Sequence, residues 1–131
     1  MIDTKSLTIK QVHKDIKKRI YSFRDIANSC LKNIEKYNPT LNAILTVNTQ
    51  IDNEAKMCDE LFRSDKNILI TKPLLGIPIV LKDNFSTKVM QTCAGSVVLK
   101  GYIPPFNATV VEKLKNAGAI IMGKSNMDAW A

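Results

Sequence analysis

The run Gly76-Ile77-Pro78-Ile79-Val80-Leu81-Lys82-Asp83-Asn84 constrains this chain more than any other stretch, because it reads as a strand without a polar face that ends on a charge. On an extended backbone Ile77, Ile79 and Leu81 share one side, and Pro78, Val80 and Lys82 the other. Both sides are therefore apolar enough to be covered, as in the strands of α/β sheets. Lys82 then needs an explanation. Lysine is rarely buried unless it is paired or working, since burial disfavours the ammonium and draws its pKa down from about 10.4 toward that of a useful base. The alternative is a lysine that marks the solvent-exposed end of the strand.

The rest of the chain divides near Ile68 to Pro73. Upstream, residues 1–70 read as a helical segment. Thr8-x-x-Gln11 has the form of a capping box opening a short helix with Val12 and Ile16 on one side, and Ser22-x-x-Asp25 opens a second. Ala27, Cys30, Leu31 and Ile34 recur at helical spacing, in a stripe expected to end before Asn38-Pro39. Residues 43–47 are predicted to be extended, and Ile51, Ala55, Cys58 and Phe62 make a third stripe. All three stripes are read as core packing. Downstream, residues 71–131 change to strand, loop, helix and strand. Asn107 or Thr109 is expected to cap a helix bearing Val110, Leu114 and Ala117, Gly118 to stop it, and Ala119 to Met122 to form a buried strand.

Composition narrows the function classes. With 131 residues, 45% hydrophobic and 24% charged, the chain is globular rather than disordered. It has no run of about 18 apolar residues and no secretory h-region, so a cytoplasmic protein without a membrane contact is expected. Cys30, Cys58 and Cys93 form no Cys-x-x-Cys pair, which predicts reduced, mostly buried thiols with neither disulfide nor metal. His13, the single histidine, is placed near an exposed helix start and leaves a Ser-His-Asp arrangement little to draw on. The net charge of +7 is concentrated early, with nine Lys and Arg against four acids in residues 1–36. Sixteen of the nineteen basic residues are lysine and no aromatics alternate with them, so a solvated basic face is favoured over a nucleic-acid surface.

One motif is misleading. Gly118-Ala119-Ile120-Ile121-Met122-Gly123-Lys124-Ser125 satisfies the phosphate-loop expression, but a helix precedes it and its middle is an apolar strand, whereas a phosphate loop needs a strand first and a curled loop between the glycines. Thr92-Cys93-Ala94-Gly95-Ser96 is a run of small residues that permits close backbone approach. It is read as a loop beside the site, with neither Cys93 nor Ser96 as nucleophile, since no base adjoins either. Asp83-Asn84 either orients Lys82 or ends its strand.

Four blocks in order, Gly76 to Asn84, Thr92 to Ser96, Pro104-Pro105-Phe106-Asn107-Ala108-Thr109-Val110-Val111, and Ala117 to Asp128, resemble the amidase-signature family, most closely its glutamyl-tRNA(Gln) amidotransferase A-subunit branch. The resemblance is strong from Leu75 to Asp128 and confined to helix pattern from about Leu7 to Asp65. At Ala129-Trp130-Ala131 the chain departs from the family's more usual Glu-Phe-Ala. The resemblance implies an α/β fold in which N-terminal helices pack on the beginning of a mixed, mainly parallel sheet, with residues 71–131 as an incomplete first part of the core. It implies a catalytic Lys82, the ultimate base for two serines, one on a cis peptide bond, that lie downstream of this chain. The fragment alone is therefore expected to be inactive, with apolar strand residues exposed near Lys82 where later strands would cover them.

What the resemblance implies about function is hydrolysis of glutamine to supply ammonia for converting Glu-tRNA(Gln) to Gln-tRNA(Gln). The partners would be the amidotransferase B and C subunits, with tRNA held mainly by the B subunit. No cofactor is expected in this chain, and ATP and Mg would belong to the B subunit. The alternatives are a stand-alone amidase-signature hydrolase of another amide and a non-catalytic binding module of the same fold.

Overall fold

The computed structural model describes residues 2–128; Ala129, Trp130 and Ala131, where the family pattern is left, lie outside the described residues. Helices α1 (Ile9–Lys17), α2 (Phe23–Leu41), α3 (Ile51–Ser64), α4 (Ile68–Thr71) and α5 (Thr109–Asn116) combine with strands β1 (Ile44–Val47), β2 (Pro78–Lys82) and β3 (Ile120–Ser125). The strands form one mixed sheet in the order β1-β3-β2, with β1 antiparallel and β2 parallel to the central β3. This is the expected α/β arrangement.

The sheet separates two apolar layers. On one side Val12, Ile16, Phe23, Ile26, Ile51 and Ala55 from α1 to α3 pack with Ile77, Ile120 and Met122. On the other, Leu81 and Ile121 meet Met90 and Val111, the last from α5. Phe23 anchors the first layer, fully buried and edge-on to both His13 and Phe62. His13 is thus half-buried rather than at an exposed helix start. Its Nε2 lies 3.2 Å from the Leu75 carbonyl, and burial, chiefly, lowers its pKa.

The helix starts follow the capping rules closely. Ser22 and Asp25 form the full reciprocal box at α2, whereas Thr8 accepts from the Gln11 N–H but the Gln11 side chain turns to Asp15 instead. Two expectations fail. Helix α2 runs through Pro39 to Leu41, because Pro39 sits in the last turn, where its missing N–H forfeits a single bond. Asn38 holds that turn by binding both the N–H and the carbonyl of Ile44, and Asn42 ends the helix at φ 48°. At α5 the cap position is Ala108, without a side-chain bond, because Asn107 instead accepts from Lys88 N–H and donates to Glu112. Gly118, at φ 94°, does stop that helix.

The strand expected to be covered on both faces is not. Among the described residues β2 is an edge strand, in which Pro78 and Ile79 are half-buried, Val80 is 41% exposed and Leu81 is buried. The fully covered strand is β3, flanked by strands on both edges and buried from Ile120 through Lys124. Of the apolar strand residues expected to face water near Lys82, only Val80 does so strongly; Ile77, Leu81, Ile120 and Ile121 are buried. More strongly exposed apolar side chains lie elsewhere, at Val97, Val98, Ile103 and Phe106.

Pairing along β3 is irregular on both sides. Against β2 the register runs Ile79 to Ile121 and then Val80 to Gly123, which leaves Met122 as an extra residue. At Gly123 the β1 backbone passes so closely that an added Cβ would collide with the Thr46 carbonyl oxygen. Gly123→Ala is therefore expected to lower unfolding free energy by about 1–3 kcal/mol through forced displacement of β1. Denaturant midpoints of the two proteins check this, and an unchanged midpoint would contradict the close approach.

Candidate active site

Lys82 is the last residue of β2. It pairs in register with Ser125 of β3, and the next backbone N–H, that of Asp83, donates to the Ser125 carbonyl at 3.1 Å. The chain then turns, with Phe85 N–H donating to the Lys82 carbonyl at 3.0 Å. The Lys82 side chain is half-buried and makes no hydrogen bond or ion pair among the described residues. It is thus held by its backbone, with its amine left available. Asn84 beside it is exposed.

Asp83 goes the other way, into the interior, with no exposed surface. Its Oδ2 accepts from the Cys93 N–H at 3.1 Å, the Cys93 thiol at 2.9 Å and the Gly95 N–H at 3.1 Å. The small-residue run permits this: Ala94 and Gly95 take φ values of 51° and 66°, which curl successive N–H groups into an anion-binding concavity. Asp83 Oδ1 accepts no hydrogen bond and faces the Lys124 ammonium at 3.3 Å. Burial pushes the carboxyl upward, but the Cys93 thiol, the Gly95 N–H, Lys124 and the Cys93 N–H outweigh it and hold Asp83 below the usual carboxylate range.

Lys124 completes the cluster. It is wholly buried, and its ammonium donates to the Phe85 carbonyl at 2.7 Å and to Thr92 Oγ1 at 2.8 Å. Burial lowers its pKa and Asp83 partly offsets that. Six of the eight residues of the phosphate-loop expression, Ile120–Ser125, therefore form a strand paired on both edges, Gly118 and Ala119 donate back to the end of α5, and the lysine turns inward to a carboxylate. Cys93, free and buried, serves Asp83 as a donor, and Ser96 Oγ accepts from Val98 N–H at the start of a 3₁₀ turn over Val97–Leu99. No group of His, Cys, Asp and Glu side chains among the described residues could hold a metal ion, and no helix there is long and apolar enough to cross a membrane.

Sequence reasoning singled out Lys82, which the structure places at the end of β2, and missed the Asp83–Lys124 pair. The burial of Lys124, though not its partner, has a signal: Ala119 to Met122 leads through Gly123 into Lys124, as Ile77 to Leu81 leads into Lys82.

Known proteins share this fold. Residues 25–131 match the profile of the family described as Amidase. The A subunit of the glutamyl-tRNA(Gln) amidotransferase of Caldanaerobacter subterraneus subsp. tengcongensis is 39% identical over 127 residues, which cover 96% of this chain and 25% of that protein. Among solved structures, the native peptide amidase of Stenotrophomonas maltophilia superposes with a TM-score of 0.88 at 30% identity, over 98% of this chain and 26% of its own. The corresponding amidotransferase A subunit of Thermotoga maritima gives 0.69 at 27% identity, over 100% and 25%. The chain thus spans about a quarter of the length of these relatives.

The depressed Asp83 makes a pH test possible. A carboxyl whose folded pKa lies below its unfolded value of about 3.9 adds stability above that pH, and this is lost as pH falls through the folded value. Unfolding free energy should therefore decline as pH falls below about 4, and Asp83→Asn should flatten part of that decline. Denaturant titrations from pH 5 to pH 2 measure both curves; parallel curves would contradict the assignment.

Proposed function

As this chain belongs to the amidase family, we propose that it supplies the lysine-bearing part of the glutamine-hydrolysing subunit of an amidotransferase that converts Glu-tRNA(Gln) to Gln-tRNA(Gln). The observation that carries this reading is Lys82 at the carboxyl end of β2, in a chain similar to those subunits along nearly its whole length. Lys82 takes the proton from a serine hydroxyl carried by a segment outside these 131 residues. A serine is a poor nucleophile until its proton is removed, and a neutral amine can remove it. The acyl-enzyme forms as ammonia leaves, and water releases glutamate. The partners are the B and C subunits, with tRNA, ATP and Mg on the B subunit, in the cytoplasm.

A second reading is a stand-alone hydrolase of another amide, favoured by the higher TM-score against the peptide amidase. Dependence on partners separates the two. Ammonia release from glutamine by the full amidase chain should rise when B and C subunits are added, whereas a stand-alone enzyme would hydrolyse peptide or simple amides without them. In either case Lys82→Ala should lower kcat about 10²-fold or more. Undiminished hydrolysis by Lys82→Ala would remove Lys82 from the chemistry.

A further inference from the structure

We propose that the buried Asp83–Lys124 pair is a positioning device for Lys82, fixing the backbone from which the catalytic amine projects; this rests on the reading of Lys82 as the base. The amine itself has no side-chain partner among the described residues, so its direction depends on the main chain beneath it. That main chain is gripped from two sides. The peptide after Lys82 is tied to β3 through Asp83 N–H and Ser125 O, the residue next to Lys124. The Lys82 carbonyl is tied to Phe85 N–H, and the Phe85 carbonyl, at the far end of that turn, receives the Lys124 ammonium at 2.7 Å. Asp83, covalently joined to Lys82, is drawn inward by the Cys93 and Gly95 donors while Lys82 stays half-buried. A turn that could otherwise rock is held at both of its ends.

Stability is a weak reason for such a pair. Desolvating two ions costs several kcal/mol each, and well-packed apolar side chains of similar volume often serve a core equally well. Geometry is the stronger reason, since a displacement of about 1 Å at a reacting group can cost about 10²-fold in rate. The two charges lie 3.3 Å apart and cancel, so the pair presents no net charge to Lys82 and acts on where the amine sits.

The double variant Asp83→Asn/Lys124→Met separates positioning from mere folding. The introduced asparagine keeps an oxygen for the Cys93 and Gly95 N–H groups, the introduced methionine fills the lysine's volume, and the Phe85 carbonyl is released. In the full amidase chain hydrolysing glutamine, the expected result is a thermal midpoint within a few degrees of the parent, KM within about threefold, and kcat lower by about 10²-fold. The acidic limb of the kcat profile should stay at its parent pH, because net charge is unchanged. A kcat within threefold of the parent would overturn the proposal. If the double variant does not fold, Thr92→Val removes one acceptor of the ammonium together with the hydroxyl's bonds to Thr87 and Phe85, and should lower kcat severalfold with KM unchanged; an unchanged kcat there also overturns it. Lys82→Ala run alongside keeps the two claims apart: hydrolysis that survives it defeats the functional reading, whereas hydrolysis lost in it but kept in the paired variants defeats only the positioning role.

Discussion

A lysine side chain without exposed surface has to find acceptors for three N–H groups and a counter-charge inside the protein, and meeting that demand organises the carboxyl end of this sheet. Lys124 takes the Phe85 carbonyl, the Thr92 hydroxyl and the facing Asp83 carboxylate. Each lies on the connection that follows β2, so the crossover from β2 toward α5 is drawn down onto β3. Asp83 in turn must be satisfied, and this is done by the tight Cys93-Ala94-Gly95 turn with its two positive φ angles. Breaking either partner leaves a buried charge uncompensated, which is expensive on the scale of a domain's marginal stability.

The helical layer depends on less demanding forces. Its stripes were legible because periodic apolar residues have one use in a small globular chain: Val12, Ile16, Ala27, Ile51, Ala55 and Cys58 are all buried in one cluster with the sheet. The Ser22 box was legible for the same kind of reason, since both of its bonds lie within one helical turn. Local rules failed where a side chain had a stronger distant or non-helical partner. Asn38 holds Ile44 and carries α2 past the point where Pro39 suggested a stop, and Asn107 prefers Lys88 N–H to the α5 cap.

The site divides in the same way. The end of β2 at Lys82 was legible because the apolar run stops on a charge, and the phosphate-loop resemblance could be set aside because an apolar run cannot curl around an anion. The pairing of Asp83 with Lys124 was not legible, since 41 residues separate them and only the parallel alignment of β2 with β3 brings them together. Edge exposure of β2 was equally hidden: nothing in Val80 distinguishes a strand with one neighbour from a strand with two.

Met122 has a role that its burial alone does not reveal. Ile121 and Lys124 are three residues apart and in regular pleat would point to opposite layers, yet they pair with Ile79 and Leu81, which share a side. The additional residue shifts the alternation by half a period, so that Ile120 and Met122 enter the helical layer while Lys124 joins Ile121 on the side of the connecting loop. In a strand of strict alternation the same lysine would point toward the helical layer, away from Asp83. One surplus residue thus selects the compartment into which a charge is folded.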